Sequence, residues 1–120
     1  MNKKHIHPHN SKIGETELYS AYKLFFNTFS GRSRLKILNL LRKNRLTVGK
    51  ITAGLKEDQS RISHDLKRLK TCGFVQSEIK GKFRIYSLKT ETILPILRLI
   101  DKHMKDNCLM IIQEKNRGKN

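Results

Sequence analysis

The stretch QSRISHDLKRLKTCGF, residues 59–74, concentrates side chains that bond to bases and phosphates. Gln59 carries the donor and acceptor that match an adenine edge. Ser60 and Ser63 bond bases or phosphates, and Arg61 and His64 reach guanine or the backbone. Lys67 and Arg68, further along, suit phosphate. Reading a duplex this way requires the polar groups to share one face of a helix. At about 100° per residue, Ile62, Leu66 and Leu69 fall on one side. Ser60, His64, Lys67, Arg68 and Thr71 fall roughly opposite, with Gln59 and Ser63 flanking them near the N-terminal turn. Asp58 is a good N-cap for this helix and Gly73 a good residue to end it.

The bulk charge points the same way. Lys plus Arg number 26 against 10 acidic residues, a net charge of +16 that favours a polyanionic partner. Further cations stand at Lys80, Lys82 and Arg84 on a hairpin tip, and at Lys50 and Lys56 beside the presumed turn. A different chemistry is open to His5, His7 and His9, since an extended His-x-His-x-His binds zinc, nickel or copper through imidazoles. Cys72 and Cys108 lie far apart and outside any Cys-x-x-Cys pattern, which argues against a disulfide scaffold or a structural zinc site. There is no Gly-rich phosphate loop and no nucleophile–base set, so an enzyme is not expected. The aromatics sit on apolar faces, not on a stacking platform, which disfavours an RNA module. No apolar run approaches the roughly 20 residues that span a bilayer. With no apolar segment behind the polar N-terminus, a cytoplasmic protein without a membrane partner is expected.

The elements that must position these residues follow from periodicity. Residues 1–14 are polar, contain Pro8 and Gly14, and read as a flexible tail. Over 15–29, Leu18, Tyr22, Phe25, Phe26 and Phe29 recur at helical steps. A second helix, capped by Ser30 or Ser33, has Leu35, Ile37, Leu38, Leu40 and Leu41 on its buried side and stops at Asn44. A short third helix follows Thr47, with Val48, Ile51 and Leu55 inward. After residues 59–73 the period switches to two, and Gly81-Lys82 marks the turn of a β-hairpin. The last helix is expected over 91–115, capped by Thr90, with Pro95 tolerated near its first turn. Its Ile93, Leu97, Ile100, Met104, Cys108 and Ile111 form a coiled-coil-like seam. A monomer would expose that seam, so it predicts a homodimer completed by Leu18, Tyr22 and Phe25. Residues 15–116 are thus one mainly α domain with a small hairpin, a winged helix-turn-helix in the order α-α-α-α-β-β-α, and 117–120 fray.

In this order, residues 24–88 resemble the ArsR/SmtB family of transcriptional repressors. LFFNTFSGRSRLKILNLL is similar to that family's first helices, where Ser-Asp-Pro-Thr-Arg precedes Leu-x-Ile-Leu. QSRISHDLKRLKTCGFV follows its recognition-helix pattern, and KGKFRIYSL its wing. The resemblance implies a homodimer, joined by first and last helices, on an operator of imperfect twofold symmetry. It also implies release by a ligand, often a metal. Gly31 and Arg32 replace the family's Asp and Pro, and LTVGKI lacks the Cys-x-Cys of its thiolate sensors. Asp101 and His103 resemble half of a zinc-type site that the family builds across last helices. Of the other half, Glu114 is a usable ligand and Arg117 is not. Zinc or nickel is therefore the cofactor to test. An architectural DNA-binding protein without an inducer is the competing reading, supported by the +16 charge.

Overall fold

The computed structural model describes residues 13–118. Helix α1 (Glu15–Ser30) leads into α2 (Arg32–Leu41), a two-residue strand β1 (Leu46–Thr47), α3 (Val48–Leu55) and α4 (Gln59–Thr71). The hairpin β2 (Val75–Lys80) and β3 (Phe83–Leu88) follows, then α5 (Ile93–Asp106) and α6 (Cys108–Arg117). β3 is the central strand of an antiparallel sheet ordered β1-β3-β2. Its register pairs Leu46 with Tyr86 on one side and Val75 with Leu88 on the other. The expected winged helix-turn-helix is what forms, with β1 added.

Local chemistry explains most boundaries. Thr47 Oγ1 accepts from the Lys50 amide at 3.3 Å and starts α3. Lys56 ends it in the left-handed region at φ 55°, which turns the chain toward α4. Asp58 Oδ2 accepts from the Arg61 amide at 3.3 Å and starts α4. Gly73 ends it at φ 78°, a conformation that glycine adopts without a Cβ penalty. At the hairpin tip Lys80 pairs with Phe83, leaving Gly81 (φ 64°) and Lys82 as the loop. Other caps differ from expectation. Neither Ser30 nor Ser33 caps α2, whose N-cap is Gly31. The helix α5 starts after Thr92, not Thr90, which places Pro95 in its first turn, where the missing amide hydrogen has no helical acceptor.

The core joins every helix except α6. Ile37, Leu38, Ile51, Ile62, Leu66, Leu69 and Phe74 are fully buried, with Phe29, Leu41, Val75, Leu88, Ile93 and Leu97 around them. Phe25 packs on this core, its ring 5.1 Å from that of Phe74. Leu35, expected inside, is exposed.

The expected seam is corrected in two ways. The last helix is not continuous over 91–115. Asn107 leaves helical geometry (φ −131°, ψ −80°), and its Nδ2 donates to the His103 carbonyl at 2.8 Å. A side chain that bonds nearby backbone competes with the helical ladder, which accounts for a break there. Ile93 and Leu97 are also spent on their own domain, at 3% and 4% exposure, and Phe25 is half-buried in it. Tyr22 and Ile111 stay exposed, as does Cys108; Leu18, Ile100 and Met104 are half-buried. Tyr19, Phe26, Leu99, Leu109, Met110 and Ile112 are exposed apolar residues that the seam did not include. The radius of gyration, 17.2 Å, exceeds the about 14 Å of a compact chain of this length. Helices therefore project from the core.

Leu66→Ala removes a fully buried side chain from the inner face of α4. It is expected to lower unfolding stability by about 2–5 kcal/mol, measured by denaturant titration. Lys67→Ala, one residue along on the exposed face, is expected to stay within about 0.5 kcal/mol.

Candidate nucleic-acid interface

The two faces of α4 separate as its apolar spacing requires. Ile62, Leu66 and Leu69 are buried, while Gln59, Ser60, Arg61, Ser63, His64 and Lys67 are exposed. None of these six side chains is engaged by another described residue. Their donors and acceptors are concentrated in the first two turns, the end that enters a major groove in helix-turn-helix proteins. Free amides at a helix N-terminus add a preference for phosphate. Lys50 and Lys56, both exposed, flank this turn from α3.

Arg68 departs from the expected outward face. It is half-buried, and its Nε donates to Thr28 Oγ1 at 3.1 Å. The residue is thereby committed to the contact between α4 and α1, and the polar face ends at Lys67. On the helical wheel Arg68 lies on the flank of the apolar arc, where contact with α1 is available.

The wing presents Lys80, Lys82 and Arg84, all exposed. Ser77 Oγ accepts from Arg84 Nη1 at 3.2 Å and from Lys70 Nζ at 2.9 Å, so the wing is tied to the last turn of α4. Lys82 Nζ lies 5.8 Å from the centre of the Phe83 ring. Lys80 and Lys82 remain free to meet the backbone beside the groove.

Behind the polar face lies an arrangement that apolar periodicity did not reveal. Asp65 is buried on α4 and accepts from Ser33 Oγ at 2.5 Å. Arg34 Nη1 faces the other carboxylate oxygen at 3.4 Å. The same guanidinium donates through Nε to the Thr28 carbonyl at 2.7 Å and through Nη2 to the Asn27 carbonyl at 3.0 Å. It therefore caps the end of α1 while holding α4. A signal was available, because Asp65 borders the arc of Ile62, Leu66 and Leu69 on the helical wheel, and a charge buried there requires a partner.

The metal site expected across two last helices would draw on both copies; within one chain its ligands do not converge. Asp101 Oδ2 bonds Arg42 Nη1 at 2.6 Å. His103 is exposed two residues on, about 200° round the helix, and Glu114 lies on α6 beyond the break. Among the described residues no three His, Cys, Asp or Glu side chains are grouped to hold a metal ion. His5, His7 and His9 lie outside the described residues. Within one chain, the donor set does not fit zinc or nickel. Cys72 is half-buried with Sγ 3.5 Å from Thr28 Oγ1, and Cys108 is exposed; both are free thiols. No described helix is long and apolar enough to cross a membrane.

Comparison with known proteins agrees with this geometry. Residues 32–77 match the family described as bacterial regulatory protein, arsR family. An HTH-type transcriptional regulator of Methanocaldococcus jannaschii is 34% identical over 87 residues, 72% of this chain and 98% of that one. The transcriptional repressor SdpR of Bacillus subtilis is 35% identical over 68 residues, 57% of this chain and 76% of its own. A homodimeric winged helix-turn-helix DNA-binding domain of Mycobacterium bovis shares the fold, with a TM-score of 0.72 at 19% identity over 82% of this chain and 93% of that one. With its helix-turn-helix, its wing and these relatives, the chain belongs to the ArsR family of winged helix-turn-helix transcriptional regulators.

Proposed function

We propose that this protein is a homodimeric, cytoplasmic repressor, not an enzyme, that reads a twofold-symmetric operator in double-stranded DNA. The observation that carries this reading is the uncommitted polar face over the first turns of α4. Gln59, Ser60, Ser63 and His64 meet base edges there, Arg61 and Lys67 meet bases or phosphate, and Lys80, Lys82 and Arg84 meet the flanking backbone. Exposed apolar side chains on α1 (Tyr19, Tyr22, Phe26) and on α5 and α6 (Leu99, Ile111, Ile112) form the face where a second copy seats. An exposed apolar surface of this kind costs free energy in water until it is covered. The relatives support both parts, since one is a repressor and one a homodimer.

The second reading, an architectural binder, rests on the net charge of +16. The two differ in specificity ratio, not in bare affinity. Selection from a random duplex pool is expected to return a consensus made of two inverted half-sites; a pool that stays random favours the architectural reading. Gln59→Ala is expected to cost about 1–3 kcal/mol on the selected site and much less on random DNA. Lys82→Gln is expected to weaken both alike and to flatten the log–log salt slope by about 0.9. Equal losses on both DNAs for Gln59→Ala would remove that residue from base reading.

Sedimentation is expected to give twice the 14.0 kDa chain mass, and Ile111→Glu to shift it toward one chain. A wild-type mass of one chain at micromolar concentration would contradict the dimer. A metal at Asp101 and His103 would have to displace Arg42 from the carboxylate. Calorimetry with zinc or nickel is therefore expected to show no heat that His103→Ala removes, and a His103-dependent heat would establish a metal site there.

A further inference from the structure

We infer that Arg34 and Asp65 are positioning residues that set the spacing between the two operator half-sites. This rests on the dimeric, DNA-reading function proposed above. Two reading helices on one face of DNA must stand about 34–36 Å apart, one helical turn. That distance is constant only if α4 is fixed relative to the helix that carries the contact between copies. Ridge-into-groove packing alone holds helices to preferred crossing angles with a scatter of about 15–20°. Hydrogen bonds and a buried ion pair narrow that scatter, because they weaken steeply with misalignment.

Two such connections join α4 to the last turn of α1. The first runs from the Asn27 and Thr28 carbonyls through the Arg34 guanidinium to Asp65. The second runs from Thr28 Oγ1 to Arg68 Nε. Thr28 is fully buried, and the Asp65 and Arg34 side chains are 6% and 15% exposed, so water screens this pair less than a surface pair. Gly31 leaves the space that the Arg34 guanidinium occupies in this linkage. A Cβ on Gly31 would collide with the Arg34 guanidinium, although its backbone (φ −67°, ψ 128°) is ordinary for any residue. Along the outer side of α1, Tyr19, Tyr22 and Phe26 are exposed, and the proposed dimer contact uses them. A tilt of α1 in the dimer therefore becomes a displacement of α4.

The test is selection from a random duplex pool with the full chain, followed by affinities on duplexes whose half-site separation is varied. Wild type, Asp65→Asn and Gly31→Ala are compared. Gly31→Ala pushes Arg34 aside without touching α4 or its polar face, so it decides the matter if Asp65→Asn does not fold. Wild type is expected to select one separation, about 10–10.5 bp between half-site centres. Both variants are expected to keep the half-site sequence, to lose roughly 2- to 30-fold at that separation, and to accept neighbouring separations nearly equally. A variant that folds and keeps the wild-type spacing preference, even with weaker binding, would overturn the inference. Absence of any consensus with the wild type would instead overturn the proposed function on which it rests.

Discussion

One negative charge inside the helical core organises this protein. Asp65 lies on the buried side of α4 beside Ile62, Leu66 and Leu69, where an unpaired carboxylate would cost several kcal/mol. Ser33 and Arg34 answer it from α2, and Arg34 in turn holds the last carbonyls of α1. Removing one partner of such a buried pair leaves the other uncompensated, which is why pairs of this kind hold geometry even where they add little net stability. Three helices consequently meet at one guanidinium. The outer face of α4 is left free of internal obligations as a result, since its packing and its one buried charge are satisfied from behind.

Much of this arrangement was legible in the residues. The α4 boundaries follow from Asp58 and Gly73, whose cap and left-handed turn are local properties. Thr47 likewise marks α3, and Gly81 the hairpin loop. The division of α4 into apolar and polar faces follows from helical spacing alone, because burial of Ile62, Leu66 and Leu69 forces Ser60, His64 and Lys67 outward. The fold could therefore be assembled from short-range signals.

What was not legible depends on tertiary partners. The spacing of Ile93, Leu97 and Ile100 shows that one side of α5 is covered but not by what; the first two pack inside their own domain. The spacing of Met104, Cys108 and Ile111 is unchanged by the break at Asn107, because a side-chain bond to the His103 carbonyl leaves no mark on apolar periodicity. Strand β1 is two residues long and exists only because β3 offers it an edge. Arg68 has the composition of a phosphate contact, yet Thr28, forty residues earlier in the chain, engages it. Asp101 paired with His103 in sequence pairs with Arg42 in space. In each case the residue type was informative, and the distant partner decided the outcome.

The fold assigns its basic residues unequally. Some cations are committed internally, as Arg34, Arg42 and Arg68 are. Others, including Arg61, Lys67, Lys80 and Lys82, are exposed around the first turns of α4 and the wing. The free set accounts for a salt-dependent hold on phosphate, and the neutral polar groups Gln59, Ser60 and Ser63 account for sequence reading. The most direct test of this division is a crystal structure of the protein on a duplex selected from a random pool. The account predicts Gln59 and Ser63 within hydrogen-bond distance of base edges in the major groove, with Asp65 and Arg34 still paired behind them. A complex in which the outer face of α4 stays in solvent while DNA lies elsewhere on the surface would contradict it.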